Sequence, residues 1–317
     1  MPFSKDNVAR WLQLSFLGMV CLAASASAQT LRLFVLTGEA NSLGTPTTNT
    51  EVSMVLPRVG SQPPEHNLNV PFFYDNTADG TPVGDAALGD SGGAWTNICL
   101  QKGGYYAYSA DHWGPEVGFA RLLWDVGYRD FGIVKSSRGD GGNSFWNKTN
   151  ADHHMYDKVV STVNSAVLAL PSGYSDYQIV GLLYLQGESN DSVEAAAADT
   201  RFATLLANLQ SDLPKARGMK AVLGEIAADT AGNRLLTTQK QQALAANRTD
   251  IGFASSTGLT VQNVDGQGIH YNADSLIIMG ERMAGEAIRL GILPETVLPQ
   301  PASLYAWYRG DHGVIPA

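Results

Sequence analysis

Short apolar runs that alternate with amphipathic stretches constrain the fold of this chain more than any other feature. Apolar runs predict strands, and stretches with apolar residues at helical spacing predict helices. The predicted strands are Leu31–Leu36, Phe131–Lys135, Ile179–Leu185, Lys220–Leu223 and Ile251–Ala254, and the predicted helices are Val117–Val126, His153–Leu170, Ser192–Leu213, Leu235–Ala246 and Ala273–Leu290. Strands that alternate with helices indicate a mainly parallel sheet covered on both faces. The predicted fold class is therefore α/β, a three-layer α/β/α sandwich.

The stretch from Thr45 to Gly104 differs from the rest because it is rich in Gly, Pro, Asn and Asp. This composition is typical of turns and loops, and we interpret the stretch as a long loop insertion after the first strand. Ligands of open α/β sheets bind at the carboxyl ends of the strands, so the insertion is expected to form a wall of a substrate cleft. Asp140–Trp146, which follows another predicted strand, is expected to line the same cleft.

Residues 1–28 have the pattern of an export signal. Lys5 and Arg10 precede the apolar stretch Trp11–Ala24, and Ala26–Ala28 fits a small-residue cleavage site. A membrane anchor is the weaker interpretation, because the apolar stretch is shorter than the ~20 residues that span a bilayer. We therefore expect a secreted or periplasmic protein that is not held in a membrane after cleavage. Cys99 would then be its sole cysteine, which excludes an internal disulfide.

The C-terminal part is expected to lie outside the main domain, which we assign to residues 29–293. Residues 294–317 combine a Pro-containing linker with the apolar-alternating segment Leu304–Ala317. That segment resembles the opening of a laminin-G-like or lectin-like sandwich, and we interpret it as the truncated start of a second module. A single strand packed on the main domain is the alternative.

Charge argues against two classes of partner. The formal net charge is −9, and the sequence contains no basic run. A net acidic chain of this kind is poorly suited to bind nucleic acid or an anionic membrane.

Four separated motifs carry residues suited to acyl transfer: Gly38–Asn41 after the first strand, Trp113–Leu123 with a Gly-Pro turn before a helix, Leu183–Asp191 at a strand end, and Val264–Ser275 ahead of the last helix. Ester hydrolysis through a covalent intermediate needs a hydroxyl beside an imidazole, with N–H donors directed at the developing oxyanion. The last motif supplies the imidazole, His270.

In this order and context the motifs resemble the SGNH hydrolases, and most closely the sialate O-acetylesterase-like branch of carbohydrate esterases. The first block of that branch reads Gly-Gln-Ser-Asn. Its Gly-Pro-Glu turn, its Gln-Gly-Glu-Ser strand end and its Asp…His-Tyr/Phe block also recur. The resemblance covers about Leu31 to Leu293. It implies a flavodoxin-like fold and hydrolysis of acetyl esters on a polysaccharide or a sialic acid-type sugar, without metal or cofactor.

Carried onto this chain, the resemblance puts the nucleophile at Ala40 and the general base at His270. It puts oxyanion donors at the Gly114 backbone N–H and the Gln186 side chain. Asn41 and Glu188, from the same blocks, are carried over as substrate-binding positions. For Gln186 and Glu188, the alternative is a structural role in which they tie adjacent loops together.

Three residues depart from the pattern of that family. Glu39 replaces Gln, Ala40 replaces Ser, and Gln267 stands three residues before His270, where the family has an orienting Asp. The nearest acid is Asp265, which would reach the imidazole if the loop bulges. Otherwise a backbone carbonyl orients His270, which then acts as half of a dyad.

Ala40 leaves the turn without an attacking atom, and three interpretations stay open. It is an engineered replacement of serine, or a natural feature of a glycan-binding protein, or Ser42 has taken over. Ser42 is the least favoured because a shift of two positions turns a side chain by about 200° on a helix. We expect a carbohydrate O-acetylesterase scaffold with little or no turnover; the alternative is a non-catalytic glycan-binding pseudoenzyme.

Overall fold

The computed structural model describes residues 29–44, 69–76, 92–99, 101, 112–150, 152–227, 232–262 and 268–294. Outside these ranges lie the predicted export signal, the residues Asp265 and Gln267, and residues 295–317 of the predicted C-terminal linker and module.

The described ranges contain strands and helices in an order close to the predicted one. The strands are β1 (Gln29–Gly38), β2 (Pro71–Asp75), β3 (Gly92–Asn97), β4 (Phe131–Lys135), β5 (Tyr174–Leu185), β6 (Lys220–Gly224), β7 (Ile251–Ala254), β8 (Val261–Gln262) and β9 (His270–Tyr271). The α-helices are α1 (Ala40–Leu43), α2 (Glu116–Asp125), α3 (Met155–Leu168), α4 (Ser192–Ala196), α5 (Ala198–Asp212), α6 (Gly232–Ala246) and α7 (Ala273–Arg289), and Asn143–Trp146 is a 3₁₀ helix.

The main sheet has seven strands in the order β3-β2-β4-β1-β5-β6-β7. Every neighbouring pair is parallel except β2 and β3, which pair antiparallel at one edge. β8 and β9 form a separate antiparallel pair. The predicted α/β class with a mainly parallel sheet is confirmed.

Side chains of β1 alternate between two cores, one on each face of the sheet. Phe34 and Leu36 pack into a core with residues of α2 and α7. Leu31, Leu33 and Val35 pack into the other core, with residues of α3 and α5. A central strand buried on both faces is apolar on both faces, which explains its nearly continuous run of apolar residues. Helices cover both faces, and the predicted three-layer sandwich is confirmed.

Two glycines allow α2 and α7 to pack backbone against backbone. A Cβ atom added at Gly118 would lie 1.9 Å from the Ile277 carbonyl oxygen, and one added at Gly280 would lie 2.0 Å from the Pro115 carbonyl oxygen. The close approach buries the apolar stripe of α7, formed by Leu276, Met279 and Met283.

The expectation of a continuous loop over residues 45–104 needs correction. Within that stretch β2 is paired with β4 in the main sheet, and β3 forms the edge of the sheet. The aromatic run Phe72-Phe73-Tyr74 has high strand propensity, and Gly, Pro and Asp residues on either side mask it in a composition average. Most of the remaining stretch lies outside the described residues.

The predicted helix Ser192–Leu213 is two helices. Ala197, with φ −103° and ψ 9°, separates α4 from α5. Asp191 and Glu194 form a capping box at the start of α4, which fixes the direction of this short helix. No helix in the described part of the chain is both long and apolar enough to cross a membrane.

The order of the strands places a crevice at the carboxyl end of β1. β4 and β5 follow each other along the chain, yet they pair with opposite sides of β1. The segments that leave these two strands therefore diverge above β1. Ligands of open α/β sheets bind at such a switch point.

Candidate active site

The turn after β1 is held tightly against the end of β5. The Glu39 N–H donates to the Leu185 carbonyl oxygen at 2.9 Å. Gly38 has a φ of 144°, and a Cβ atom there would lie 2.0 Å from the same oxygen, so this position accepts glycine alone. The turn delivers Ala40 to the first position of α1, where its side chain is buried.

Asn41 joins this turn to the backbone on both sides of His270. Its Nδ2 donates to the Ile269 carbonyl oxygen at 2.9 Å, and its Oδ1 accepts from the Tyr271 N–H at 2.8 Å. A single amide thus holds both neighbours of His270. The structure thereby brings two of the predicted motifs together, the one with Ala40 and the one with His270.

His270 lies in β9, where it is partly buried and pairs with Gln262 of β8. Asn272 follows and caps α7 by accepting a hydrogen bond from the Ser275 N–H. The imidazole is therefore carried on a short strand directly before a long packed helix. The question of whether Asp265 orients it falls outside the described residues.

Glu188 and Gln186 lie on the segment that follows β5. Glu188 Oε1 accepts from the Asn41 N–H at 3.1 Å and from Asn41 Nδ2 at 2.5 Å. Gln186 is fully buried, and its Nε2 donates to the Gly141 carbonyl oxygen at 3.1 Å and to Asn190 Oδ1 at 2.8 Å. Both side chains connect loops at the crevice, and the third motif therefore joins the first around Asn41.

Gly114 lies at the other end of α1, in a buried polar cluster. Its N–H donates to Glu116 Oε1 at 2.8 Å, and Glu116 in turn pairs with Lys135. Lys135 Nζ also donates to the carbonyl oxygen of Leu43, the last residue of α1, at 2.9 Å. The second motif, through Glu116 and Lys135, therefore stabilises the C-terminal end of α1. Both the Gly114 N–H and the Gln186 amide have protein acceptors in this structure, which a substrate oxygen would have to replace.

Glu39 forms a hydrogen-bonding centre that sequence reasoning did not assign. Its carboxyl group accepts from the Ser189 N–H at 3.1 Å, from the Ser189 hydroxyl, and from the Gly141 and Gly187 N–H groups at 3.4 Å each. These donors belong to the segments after β4 and β5. Burial, followed by the nearby Glu188, raises the pKa of Glu39 well above its usual range. The signal in the sequence was the replacement of the usual Gln by an acid.

Ser42 does not face the crevice as a free hydroxyl. It is fully buried, and its Oγ lies 2.7 Å from Ser137 Oγ. Trp113 and Trp146 are also fully buried, so they belong to the core. The described residues hold no group of three or more His, Cys, Asp and Glu side chains that would bind a metal ion.

Replacing Asn41 by alanine is expected to destabilise the fold and to loosen His270. The Tyr271 N–H would lose its acceptor, and each buried polar group left without a partner costs about 1–3 kcal/mol. Urea unfolding should show a loss in this range or larger. Asn247→Ala, at an exposed position, is the control and should change the free energy of unfolding by less than about 0.5 kcal/mol. Equal effects of the two substitutions would contradict the bridging role of Asn41.

Comparisons with known proteins identify relatives of this chain. The family model for carbohydrate esterases described as sialic acid-specific acetylesterases matches residues 30–289. A search of curated protein sequences gave no significant match.

Solved structures show the same fold at low identity. A protein of Arabidopsis thaliana is 17% identical, with a TM-score of 0.56, over 82% of this chain and 98% of its own. A carbohydrate acetylesterase from Xanthomonas citri is 15% identical, with a TM-score of 0.54, over 82% of this chain and 56% of its own. The protein NanS is 13% identical, with a TM-score of 0.50, over 83% of this chain and 98% of its own. The extent of the family match shows that this chain belongs to the sialic acid-specific acetylesterase family of carbohydrate esterases.

Proposed function

We propose that this chain is a carbohydrate O-acetylesterase scaffold that binds acetylated glycans in the crevice above β1 but turns them over little or not at all. One observation carries this proposal. Ala40 stands at the start of α1, in the position that the resemblance gives to the nucleophile, while the next residue, Asn41, holds the backbone on both sides of His270. These contacts support a site that lacks only the attacking atom of a serine nucleophile.

The chemistry of the complete site follows from these positions. A hydroxyl at position 40 would attack the acetyl carbonyl carbon while His270 accepts its proton. His270 would then return the proton to the departing sugar oxygen, leaving an acyl-enzyme. Water, deprotonated by His270, would release acetate and restore the hydroxyl. With the methyl group of Ala40, the first step has no nucleophile.

The oxyanion of that first step needs N–H donors. The resemblance assigns this role to Gly114 and Gln186, and both now donate to protein oxygens. In the proposed mechanism each must exchange its acceptor for the substrate oxygen. Loss of one such donor typically lowers kcat by about 10²–10³-fold.

The substrate class and the location follow from separate observations. The family description supports an acetylated sugar, either a sialic acid-type sugar or an acetylated polysaccharide. Lys5, Arg10 and the apolar stretch Trp11–Ala24 support export, so the substrate would be extracellular or periplasmic.

Binding without turnover is testable with the chain as it stands. Acetylated xylan oligosaccharides and O-acetylated sialic acid should bind in calorimetric titrations, and the better ligand should bind at least about tenfold more tightly than its deacetylated form, a difference of about 1.4 kcal/mol. The acetyl ester should survive the titration, as checked by mass spectrometry. Equal binding of acetylated and deacetylated ligands would contradict a site built around the acetyl group.

A non-catalytic glycan-binding pseudoenzyme is the second candidate. The three departures at Glu39, Ala40 and Gln267 favour it, because they fall in the motifs that carry the chemistry. This candidate differs from the first in one respect: restoring a serine at position 40 would not restore hydrolysis.

A further inference from the structure

The helix α6 packs on the rest of the fold through polar residues. Its buried residues are Thr237, which is 0% exposed, and Gln241, which is 1% exposed, whereas its leucines are partly buried. The two polar residues lie four positions apart, so they share one face of the helix. A surface helix normally buries apolar residues on that face, and buried polar side chains need hydrogen-bond partners. The partners of Thr237 and Gln241 therefore indicate what this face does.

Both partners lie on the segment that follows β5, which carries Gln186. Thr237 Oγ1 accepts from Asn190 Nδ2 at 3.1 Å, and Gln241 Nε2 donates to the Gln186 carbonyl oxygen at 3.2 Å. Gly187 allows α6 to approach this closely, because a Cβ atom there would lie 2.7 Å from Thr237 Cγ2. The helix thus holds the segment at two points, one on either side of Gly187.

The first point of contact fixes the side chain of Asn190. Its Oδ1 accepts from Gln186 Nε2 at 2.8 Å and from the Asn143 N–H at 2.9 Å, while its Nδ2 donates to Thr237. The reversed amide would place Nδ2 against two N–H donors, so the contacts allow one orientation. The Thr237 hydroxyl therefore supports the acceptor that holds the Gln186 amide.

The second point of contact explains a polar residue at position 241. Gln241 Oε1 is buried and accepts no hydrogen bond from a donor in the part of the chain that the structure describes. A buried acceptor in this state is costly, so packing alone would favour an apolar side chain. The contact that offsets this cost is the one from Nε2 to the Gln186 carbonyl oxygen. It fixes the main chain from which the Gln186 side chain extends.

We propose that Thr237 and Gln241 are positioning residues for the Gln186 side-chain amide, Thr237 through Asn190 and Gln241 through the main chain. Gln186 Nε2 has two hydrogens, which it donates to Asn190 Oδ1 at 2.8 Å and to the Gly141 carbonyl oxygen at 3.1 Å. With Asn190 held by α6, the first N–H keeps its acceptor, and the second exchanges Gly141 for the substrate oxygen. This catalytic consequence rests on the proposed function. The hold of α6 on Gln186 does not, because it concerns the folded chain itself.

The test follows the NMR signals of the Gln186 side-chain amide in the chain as it stands. Thr237→Val removes the hydroxyl and keeps the shape of the side chain, and Gln241→Met removes the N–H donor. Each should shift these signals and raise their hydrogen exchange with solvent by about fivefold or more, since a buried polar group loses its partner. Thr238→Val and Gln242→Met are matched changes at the next positions, which are partly exposed and exposed, and should leave the signals in place.

A conservative variant distinguishes positioning from packing. Thr237→Ser keeps the hydroxyl and loses the methyl group that lies against Gly187, so its Gln186 signals should match those of the parent. The spectra are recorded well below the unfolding transition, where a mere loss of stability does not move the signals of the folded state. If Thr237→Val does not fold, Gln241→Met decides the result. Unchanged Gln186 signals in the variants that fold, or a shift in Thr237→Ser that Thr237→Val lacks, would overturn the proposal.

The catalytic consequence is measured in the Ala40→Ser background. Thr237→Val should lower kcat for acetate release about tenfold or more and change KM less than about twofold, because an oxyanion donor acts mainly in the transition state. Thr237→Ser should recover most of that kcat. An unchanged kcat in an active Ala40→Ser background would overturn the link to catalysis. Inactivity of Ala40→Ser itself would count against the proposed function, whereas the NMR signals would still decide the hold of α6 on Gln186.

Discussion

Replacing Ala40 by serine is expected to raise acetate release from acetylated xylan and from a chromogenic acetate ester by at least about 10³-fold. Removing the nucleophile of a serine hydrolase costs about 10⁶ in kcat, because the remaining groups act mainly as partners of that nucleophile. The expected gain is smaller than this full value, since Glu39 and Gln267 depart from the family pattern and an imperfectly oriented imidazole also lowers the rate.

The hydroxyl introduced at position 40 would lie on a turn that is held by hydrogen bonds. Gly38 and Glu39 fix the turn against Leu185, and Asn41 holds the strand of His270. The substitution adds one polar oxygen atom to a side chain that is 5% exposed, so the stability of the variant is measured beside its activity. Activity is measured by acetate release at several pH values, and folding is checked by thermal unfolding.

Two control variants distinguish the interpretations of Ala40. Combining Ala40→Ser with His270→Ala should abolish the gain if His270 is the general base. Ser42→Ala should leave the activity of Ala40→Ser largely intact, because the Ser42 hydroxyl is buried against Ser137. Activity in the parent chain that Ser42→Ala removes would contradict the assignment of position 40. Inactivity of both the parent and Ala40→Ser would favour the glycan-binding pseudoenzyme.

The main elements were predictable because their patterns are strong and local. β1, β4, β5, β6 and β7 were recognised from apolar runs, and α7 from the recurrence of Leu276, Met279 and Met283 on one face. Alternating strands and helices then leave few arrangements other than a parallel sheet covered on both faces. The spacing of apolar residues along the sequence is thus enough to predict the class of the fold.

The errors in the fold arise where composition and periodicity conflict. β2 lies in a stretch rich in Gly and Pro, and pairing with β4 in the main sheet outweighs the turn tendency of the residues around it. The break at Ala197 has no Gly or Pro to mark it. Ala197 leaves the helical conformation, with φ −103° and ψ 9°, and no local pattern in the sequence encodes this break.

The sequence predicts which positions belong to the candidate site, but it does not predict which side chains contact each other there. The four motifs point to residues near Ala40, and the structure joins the first motif to the third and fourth through Asn41. The partners of Gly114 and Gln186 depend on loops that meet in three dimensions, and no local pattern encodes them. Lys135 illustrates this point, because the sequence places it at the end of an apolar strand without indicating its buried partner, Glu116.

Replacing Lys135 by methionine is expected to lower the free energy of unfolding by about 3–5 kcal/mol, because it leaves the buried carboxylate of Glu116 without its cation. Both side chains are 0% exposed, and Nζ lies 3.0 Å from Glu116 Oε2. Burial lowers the pKa of Lys135, and Glu116 counteracts that shift, so the two charges depend on each other. The loss also removes one donor to the carbonyl oxygen of Leu43 at the end of α1. Urea unfolding at neutral pH measures the effect.

The double variant Lys135→Met/Glu116→Gln distinguishes a lost charge pair from lost packing. Because glutamine at position 116 still offers an oxygen to the Gly114 N–H but carries no charge, the double variant should recover much of the stability that Lys135→Met loses. Lys148→Met removes a half-exposed pair with Asp212 and should cost no more than about 1 kcal/mol. A double variant as unstable as Lys135→Met would show that packing of the lysine chain, and not charge, supports the turn. In the Ala40→Ser background the same series should lower activity along with stability if α1 carries the nucleophile as proposed, since Lys135 anchors its last carbonyl.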